Sequence, residues 1–444
     1  MGVNYSGISQ VIKLRILNRS DEEMSIASLE IKLIDMLKTN RITFPIYKKM
    51  KTAQNNKRFK VDSINTFTPH ADEDEKVRYN LILPTLRKTR VFAGIASALT
   101  FFLKLTEDHS ECRIIVIGDE EYNSRTTYHI EEYSHSSKAS KQLVFASDSR
   151  ELNIRKNDIF VMTSWKTAVS FLKVYNWQKE KYRIKDRKFV YLIQDFEPGF
   201  FPWSSEFVLA ESTYSNYQAD TIAVFNSYQL YSFFESKGYK FWDSCYFQPV
   251  LNPSLADILL HESSDKYKRR KKRILIYGRP SEARNAFEII RYSLELWSDK
   301  YGDSSNWEII SLGEGFDNIE LKNNIIVSYG KVTLDKYADF MLNAYAAISL
   351  MVSPHPSYPP LEMSTFGVRT ITNKFEGKDL GEFNNNIISI DNCSPDLIFN
   401  TLAQICDEYE TYQSSFSIRD EYIKGSSLDD TIVSVRKRLM KPFQ

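Results

Sequence analysis

The sequence predicts an α/β protein built from two doubly wound parallel sheets in tandem. Three observations lead there. From Val77 onward, short apolar runs alternate with helical patterns, the signature of strand, helix, strand units. Between residues 255 and 273 the apolar periodicity lapses and then resumes, which separates two sets of units. At 444 residues the chain is also too long for one core.

Taken in order, residues 1 to 75 read as an extension of mixed character. Ser20-Asp-Glu-Glu starts a capped helix running through Leu37, and Lys48 to Lys60 reads as a basic connector or an exposed helix. The pattern then predicts a strand over Tyr79–Leu83, a helix through Ala93, Phe101 and Leu105, and a strand over Arg113–Ile117. Asp158–Thr163 leads into a helix over Trp165–Tyr175, and Phe189–Ile193 ends at Gln194-Asp-Phe-Glu-Pro198. Thr221–Phe225 follows, and Ser227 is placed to cap a helix over Tyr228–Lys237.

The second set opens with a strand at Ile274–Tyr277 and a helix over Ala286–Leu296. Strands are expected at Trp307–Leu312 and Ile325–Tyr329, then a helix over Leu334–Ala344 and a strand over Ala346–Val352. After Gly367 come Thr370–Asn373, Ile387–Ile390 and a helix from Ser394 to Tyr412, and the tail Ile418–Met440 is helical and amphipathic. The expected domains are therefore 1–75, 76–255, 256–412 and 413–444. Tandem sheets of this kind leave a cleft, where ligand sites concentrate.

Composition narrows the function. Hydrophobic residues at 42% and charged residues at 26% are ordinary for a folded chain. The net charge of +1 argues against a nucleic-acid protein held by a general basic field. Twenty-six Tyr and twenty-eight Phe suit well-filled cores first, with a sugar-binding face as the alternative use. Cys112, Cys245, Cys393 and Cys406 are scattered, with no zinc spacing, which fits a reducing compartment. Met1 to Arg15 lacks a signal-peptide pattern and no apolar run approaches about 18 residues, so a cytoplasmic protein is expected, at most peripheral on a membrane. The basic run Lys268-Arg-Arg-Lys-Lys-Arg273 reads either as a solvated linker or as a contact with anionic lipid. Glycine-rich dinucleotide, Walker, zinc-protease and nucleophile-elbow motifs are missing. Asp72-Glu-Asp74 has metal-binding spacing but precedes the first expected strand, so it reads as a solvated run and no metal is expected.

Four clusters could carry chemistry. The first is Tyr277-Gly278-Arg279-Pro280 with Arg284: two arginines flank a strand-to-helix loop, where they either grip a diphosphate or stand solvated. Lys331, after the Ser328-Tyr-Gly330 strand end, could meet the same phosphate or lie at the surface. The third is Ser353-Pro-His-Pro-Ser-Tyr-Pro-Pro-Leu-Glu362, with four prolines within seven residues. Prolines stiffen a loop and remove N–H donors, and Glu362 falls in the first turn of a short helix, where the dipole favours a carboxylate that could accept bonds from ribose hydroxyls. Tyr358 could stack on or bond a donor ring, and His355 is either a ligand-contacting histidine or a fixed surface residue. The last cluster pairs Ser164-Trp-Lys-Thr-Ala168 with Gln194-Asp-Phe-Glu-Pro198. There Asp195 and Glu197 could orient or deprotonate a hydroxyl, or one of them could be structural.

Together, Tyr277-Gly-Arg-Pro280, Arg284-Asn-Ala-Phe287, Gln194-Asp-Phe-Glu-Pro198, Ser164-Trp-Lys-Thr-Ala168 and the proline loop resemble the WsaF-type rhamnosyltransferases, a GT-B branch of glycosyltransferase family 4. The resemblance spans roughly residues 77 to 440. It implies two Rossmann-like domains facing a cleft, with the nucleotide-sugar on the C-terminal domain, the acceptor glycan on the N-terminal one, and a last helix returning to the first domain. By the same resemblance Arg279 and Lys331 bind the diphosphate, Glu362 the ribose, and Leu312 and Tyr358 the nucleoside or sugar, with Gly278, Arg284 and His355 as further candidates for the nucleotide-sugar site. The implied reaction is metal-independent, retaining transfer of L-rhamnose from dTDP-L-rhamnose to a surface polysaccharide or O-antigen, free or lipid-linked, with no cofactor. Two alternatives remain: a transferase for another nucleotide-hexose, and a catalytically silent glycan- or partner-binding module. The chain departs from the broader family in two places. Pro354 stands where many relatives carry the first glutamate of Glu-x7-Glu, leaving Glu362 alone, and the usual N-domain histidine has no match.

Overall fold

Runs such as Phe189-Val-Tyr-Leu-Ile193 are buried along their whole length, as a parallel strand covered on both faces must be. The computed structural model describes residues 44–45, 64, 66–86, 93–109, 111–118, 140–262, 270–425 and 427–440. The expected helix after Ser20, the connector Lys48 to Lys60, and Lys268-Arg269 of the basic run lie outside these residues. All that follows concerns the unit Ser63–Gln444.

Its first half comprises β1 (Thr68–Asp72), β2 (Arg78–Leu83), α1 (Ala93–Leu105), β3 (Glu111–Val116), β4 (Ser140–Phe145), β5 (Glu151–Arg155), β6 (Asp158–Met162), α2 (Trp165–Lys181), β7 (Phe189–Ile193), α3 (Ser205–Ser215), β8 (Thr221–Phe225), α4 (Tyr228–Ser236) and β9 (Asp243–Tyr246). Seven of these strands form one parallel sheet, ordered β4-β3-β2-β6-β7-β8-β9, while β1 and β5 pair separately. The second half holds α5 (Pro253–His261), β10 (Lys271–Gly278), α6 (Phe287–Lys300), β11 (Glu308–Gly313), β12 (Ile319–Glu320), β13 (Ile325–Gly330), α7 (Leu334–Asn343), β14 (Ala344–Ile348), α8 (Pro359–Thr365), β15 (Arg369–Asn373), β16 (Ile387–Ile390) and α9 (Pro395–Asp407). Its sheet runs β12-β13-β11-β10-β14-β15-β16, parallel but for the short edge strand β12. Two further helices follow, α10 (Asp420–Lys424) and α11 (Ser427–Leu439).

In each sheet the chain winds outward one way and then crosses back to wind the other way. The reversals fall between β2 and β6 and between β10 and β14. Ligands of doubly wound sheets bind at such reversals, outside the carboxyl ends of the strands. Gly278 ends β10 and the proline-rich segment follows β14, so both lie at the second reversal.

Each sheet is sandwiched between two apolar layers. In the first, Ile82, Phe160 and Tyr191 face one layer, and Leu81, Val161 and Val190 face the other. The second of these layers is completed from the far end of the chain by Ile432, Val435 and Leu439 of α11. Arg436 pins that helix by donating to the carbonyls of Lys104 and Leu105 at the end of α1, and its Nη1 lies 2.7 Å from Asp108.

Several elements differ from the sequence reading. Pro253–His261 is helical where a connector was expected: Leu255, Ala256 and Leu259 face the core and Ile258 packs beside them, but the face is only about two turns long, too short to stand out as a period. Strands β1, β4, β5 and β9 and helix α3 went unpredicted, since their polar and apolar residues are mixed. Asp72-Glu-Asp74 is not a solvated run. The parallel pairing of β1 with β5 sets Asp72 opposite Arg155, whose Nε lies 3.3 Å from Asp72 and whose Nη2 lies 2.7 Å from Asp74. The described part of the basic run is likewise committed to the fold. Lys272 pairs with Asp303 at 2.6 Å and Arg273 with Glu308 at 2.6 Å, while buried Arg270 donates to the Met341 and Ala344 carbonyls.

At the amino ends of the first sheet a buried ionic group holds the strands together. Asp158, fully buried, receives Arg78 Nε and Nη2 at 2.8 Å each, Asn80 Nδ2 at 3.1 Å and the Arg155 N–H at 2.8 Å. Arg113 stands 3.6 Å away, donates to Asn80 Oδ1, and is lowered to about 10 by burial. Removing the one carboxylate strands two buried guanidinium groups, so Asp158→Ala is expected to destabilise the protein by about 3–5 kcal/mol in urea denaturation followed by circular dichroism. A loss within experimental error would show that the network contributes nothing.

Candidate active site

The cluster at the end of β10 owes its shape to Gly278. A Cβ there would sit 2.5 Å from Ser311 Oγ and 2.9 Å from Phe287 Cε2, so only glycine lets α6 approach the sheet. Beyond it, Arg279 Nη2 meets Glu282 Oε1 at 3.2 Å. Arg284 lies in the short turn Ala283–Asn285, and its carbonyl accepts the Val352 N–H at 2.8 Å. That bond ties the arginine turn to the proline-rich loop. The Arg284 guanidinium covers the Phe200 ring, 3.5 Å from its centroid, and its Nε lies 4.0 Å from Asp195 Oδ2. Arg284 thus joins the second sheet to the first.

The loop after β14 is held as rigidly as its prolines suggest. Met351 is clamped by Asn373, which accepts its N–H at 2.7 Å and donates to its carbonyl at 3.1 Å. Lys378 Nζ donates to the same carbonyl at 2.6 Å. The Ser353 hydroxyl donates to Asp195 Oδ1 and accepts the His355 N–H at 3.0 Å. His355 Nδ1 accepts the Ser357 N–H at 3.0 Å, which assigns the ring proton to Nε2. Burial pushes this imidazole down to about 4, with Asp195 opposing and Lys378 and Arg284 reinforcing, so it is neutral in ordinary buffers. Its Nε2 is buried and has no hydrogen-bond partner among the described residues.

Asp195 and Glu197, close in sequence, have different surroundings. The Asp195 side chain is 15% exposed and faces Ser353 and Arg284. Glu197 Oε2 accepts the Trp165 N–H at 2.5 Å, at the start of α2, and the Tyr214 hydroxyl at 3.4 Å. Burial, then the nearby Asp195 charge, pushes Glu197 up to about 8, so near neutral pH it is largely protonated.

Glu362 sits among tyrosines. Burial pushes it up to about 7, partly offset by the Tyr337 hydroxyl. Burial raises the Tyr277 hydroxyl, with Arg279 opposing and Glu362 adding to the rise. Tyr358, just before α8, lies against His355 with ring centroids 5.6 Å apart. The structure therefore brings Asp195, Arg284 and His355 together, with Glu197 adjoining, and sets Arg279, Tyr358 and Glu362 beside them. Lys331 is exposed just beyond β13, two strands from β10. Leu312 pairs with Tyr277 and its side chain is buried in the core, so only packing relates it to the site.

Two domain families match the chain: the WsaF N-terminal domain over residues 78–228 and the WsaF C-terminal domain over residues 272–403. The chain belongs to the WsaF family. Structures of Anabaena Alr3699/HepE in complex with UDP-glucose and with UDP and glucose superpose with TM-scores of 0.52 and 0.51. Each covers 82% of this chain and 98% of its own, at 10% identity. They establish the fold as GT-B. The O-antigen biosynthesis protein RfbC of Myxococcus xanthus is 26% identical over 184 residues, 41% of this chain, and the chain spans only 14% of that relative's length. Within the WsaF matches, Asp195 and Glu197 fall in the N-terminal domain, and Gly278, Arg279, Arg284, Lys331, Tyr358 and Glu362 in the C-terminal one.

Sequence reasoning missed Ser353 and Lys378. Lys378 is buried and lowered to about 7 by desolvation, against the pull of Asp195 and Cys393. Only the Glu376-Gly377 turn before it, with φ of +47° and +85°, left a trace in the sequence. Its burial left none.

Glu362 generates a pH test. Its folded value of about 7 exceeds its ordinary 4.5, so the folded state binds the proton more tightly and loses stability as pH rises through that window. Glu362→Gln should therefore gain on the wild type between about pH 5 and pH 8, by on the order of 2 kcal/mol at the upper end. Thermal melts at both pH values measure this, and a difference that does not change with pH would contradict the assignment.

Proposed function

We propose that this WsaF-family protein is a glycosyltransferase that moves L-rhamnose from dTDP-L-rhamnose onto a growing surface polysaccharide or O-antigen, without a metal or cofactor and with retention of configuration. One observation carries the reading. Asp195, a carboxylate just beyond β7 and one strand from the first sheet's reversal, meets Arg284 and Ser353 of the proline loop at the second sheet's reversal. That is where a donor on one sheet and an acceptor on the other would meet.

In this reading Arg279 and Lys331 neutralise the leaving diphosphate, Arg being suited to paired phosphate oxygens. Glu362 accepts the ribose hydroxyls, which favours its ionised form. The anomeric carbon–oxygen bond to the diphosphate breaks and a bond to the acceptor oxygen forms on the same face. The acceptor proton passes to a leaving phosphate oxygen or to Asp195. Glu197, protonated and bonded to the start of α2, positions the turn that carries Asp195. Pro354, where many relatives carry a glutamate, has no hydrogen-bonding side chain, which suits a 6-deoxy sugar that lacks the 6-hydroxyl. The HepE complex with UDP-glucose supports a second reading in which the donor is another nucleotide-hexose. The cytoplasm, where nucleotide-sugars are made, is the proposed location, and no helix among the described residues is long and apolar enough to cross a membrane.

Arg279→Ala and Lys331→Ala should each lower transfer by about 10²–10³-fold while leaving the melting temperature in place. Near-normal rates in either variant would remove the diphosphate assignment. Transfer should persist in EDTA, and a strict divalent-cation requirement would overturn the metal-free step. Thermal shift against dTDP-, UDP- and GDP-sugars reads the donor directly, because a nucleotide-sugar that binds the folded state raises its melting temperature.

A further inference from the structure

Trp203 is 91% exposed, more than any other large apolar side chain among the described residues, and Val208 nearby is 62% exposed. The Trp203 and Phe207 rings lie 4.9 Å apart at 43°. Ser204 caps α3 by accepting the Phe207 N–H, which fixes Trp203 at the residue before the cap. A tryptophan there commonly staples onto the residue five positions later, here Val208. Both remain in solvent, so stapling does not account for them. Contiguous exposed aromatic surface marks a contact with something else.

The patch continues the candidate site. Phe200 lies under Arg284, and Phe201 meets the Trp165 ring edge-on at 5.7 Å and 85°. Trp203 is three residues beyond Phe200, within roughly 11 Å along an extended chain, about two sugar rings. Charge decides what covers it. Residues 194 to 211 hold no Lys or Arg; Glu206 and Glu211 flank Phe207 on α3, while Asp195 faces Arg284 and Glu197 is largely protonated. An anionic lipid surface or a phosphate-rich partner would be repelled, whereas the C–H face of a neutral sugar stacks on indole without charge.

We propose that Trp203 and Phe207 form a stacking platform for a neutral sugar ring of the acceptor glycan, one or two residues from the point of transfer. The proposal rests on the glycosyltransferase reading and deepens it. The probe is the host cell's own surface glycan, released by mild acid and separated by size, added to the full chain.

Glycan fragments should shift the tryptophan emission of the wild type and leave Trp203→Phe unshifted, in a binding measurement that needs no turnover. With a donor present, Trp203→Ala should raise the acceptor KM about 10-fold, with the KM for nucleotide-sugar unaltered, and Trp203→Phe should recover most of the loss. An emission shift that persists in Trp203→Phe, no shift with any fragment, or an unaltered acceptor KM would overturn the platform. So would binding of the wild type to phosphatidylglycerol vesicles that Trp203→Ala abolishes, since that assigns the patch to a membrane. Failure of the wild type to turn over any nucleotide-sugar would count against the glycosyltransferase reading alone, because the fluorescence result stands without it.

Discussion

The Asp195 carboxylate is the constraint on which the geometry of the site depends. It lies in the turn just after β7 of the first sheet, receives the Ser353 hydroxyl from the loop of the second, and faces Arg284. Each partner holds another piece. Ser353 also takes the His355 N–H, and Arg284 covers Phe200 while its carbonyl receives the Val352 N–H. A charge with little solvent is stable only where such partners surround it. The proline loop, the arginine turn and the turn after β7 are therefore positioned together.

Burial also sets the protonation pattern around that carboxylate. Glu197 and Glu362 move up, while His355 and Lys378 move down, each toward its neutral form. Desolvation is the largest cause in all four. A region this poor in water gives the remaining charges a longer reach, so a diphosphate placed near Arg279 and Arg284 would feel them strongly.

The two ends of the first sheet divide the work. At the amino ends, Asp158 is enclosed by Arg78, Asn80 and the Arg155 backbone, and Arg155 spends its side chain on Asp72, Asp74 and Glu111. Those groups satisfy one another and stabilise strand pairing. At the carboxyl ends, His355 Nε2, Gln194 Oε1 and Asn226 Oδ1 are buried without hydrogen-bond partners among the described residues.

Much of this was legible in the residues. Strands such as Phe189–Ile193 and Thr221–Phe225 are continuous apolar runs, and Ser227 caps its helix as its side chain dictates, so local chemistry alone marks them. Mixed strands such as β5 and the buried face of α5 were not legible, because their stability comes from partners distant in sequence. The arginine turn, the proline loop and the Asp195 segment were recognisable as motifs, because rigid turns and charged residues at strand ends are local features. By itself, then, the sequence determined two doubly wound sheets and which loops are candidates for chemistry. Only the tertiary structure decided that Asp195 meets Ser353 and Arg284, that Lys378 is buried beside them, and that Asp72 and Asp74 belong to Arg155. Asp195 and Ser353 alone are 158 positions apart, and the free energy that selects such contacts comes from desolvation and pairing, which exist only once the sheets have packed.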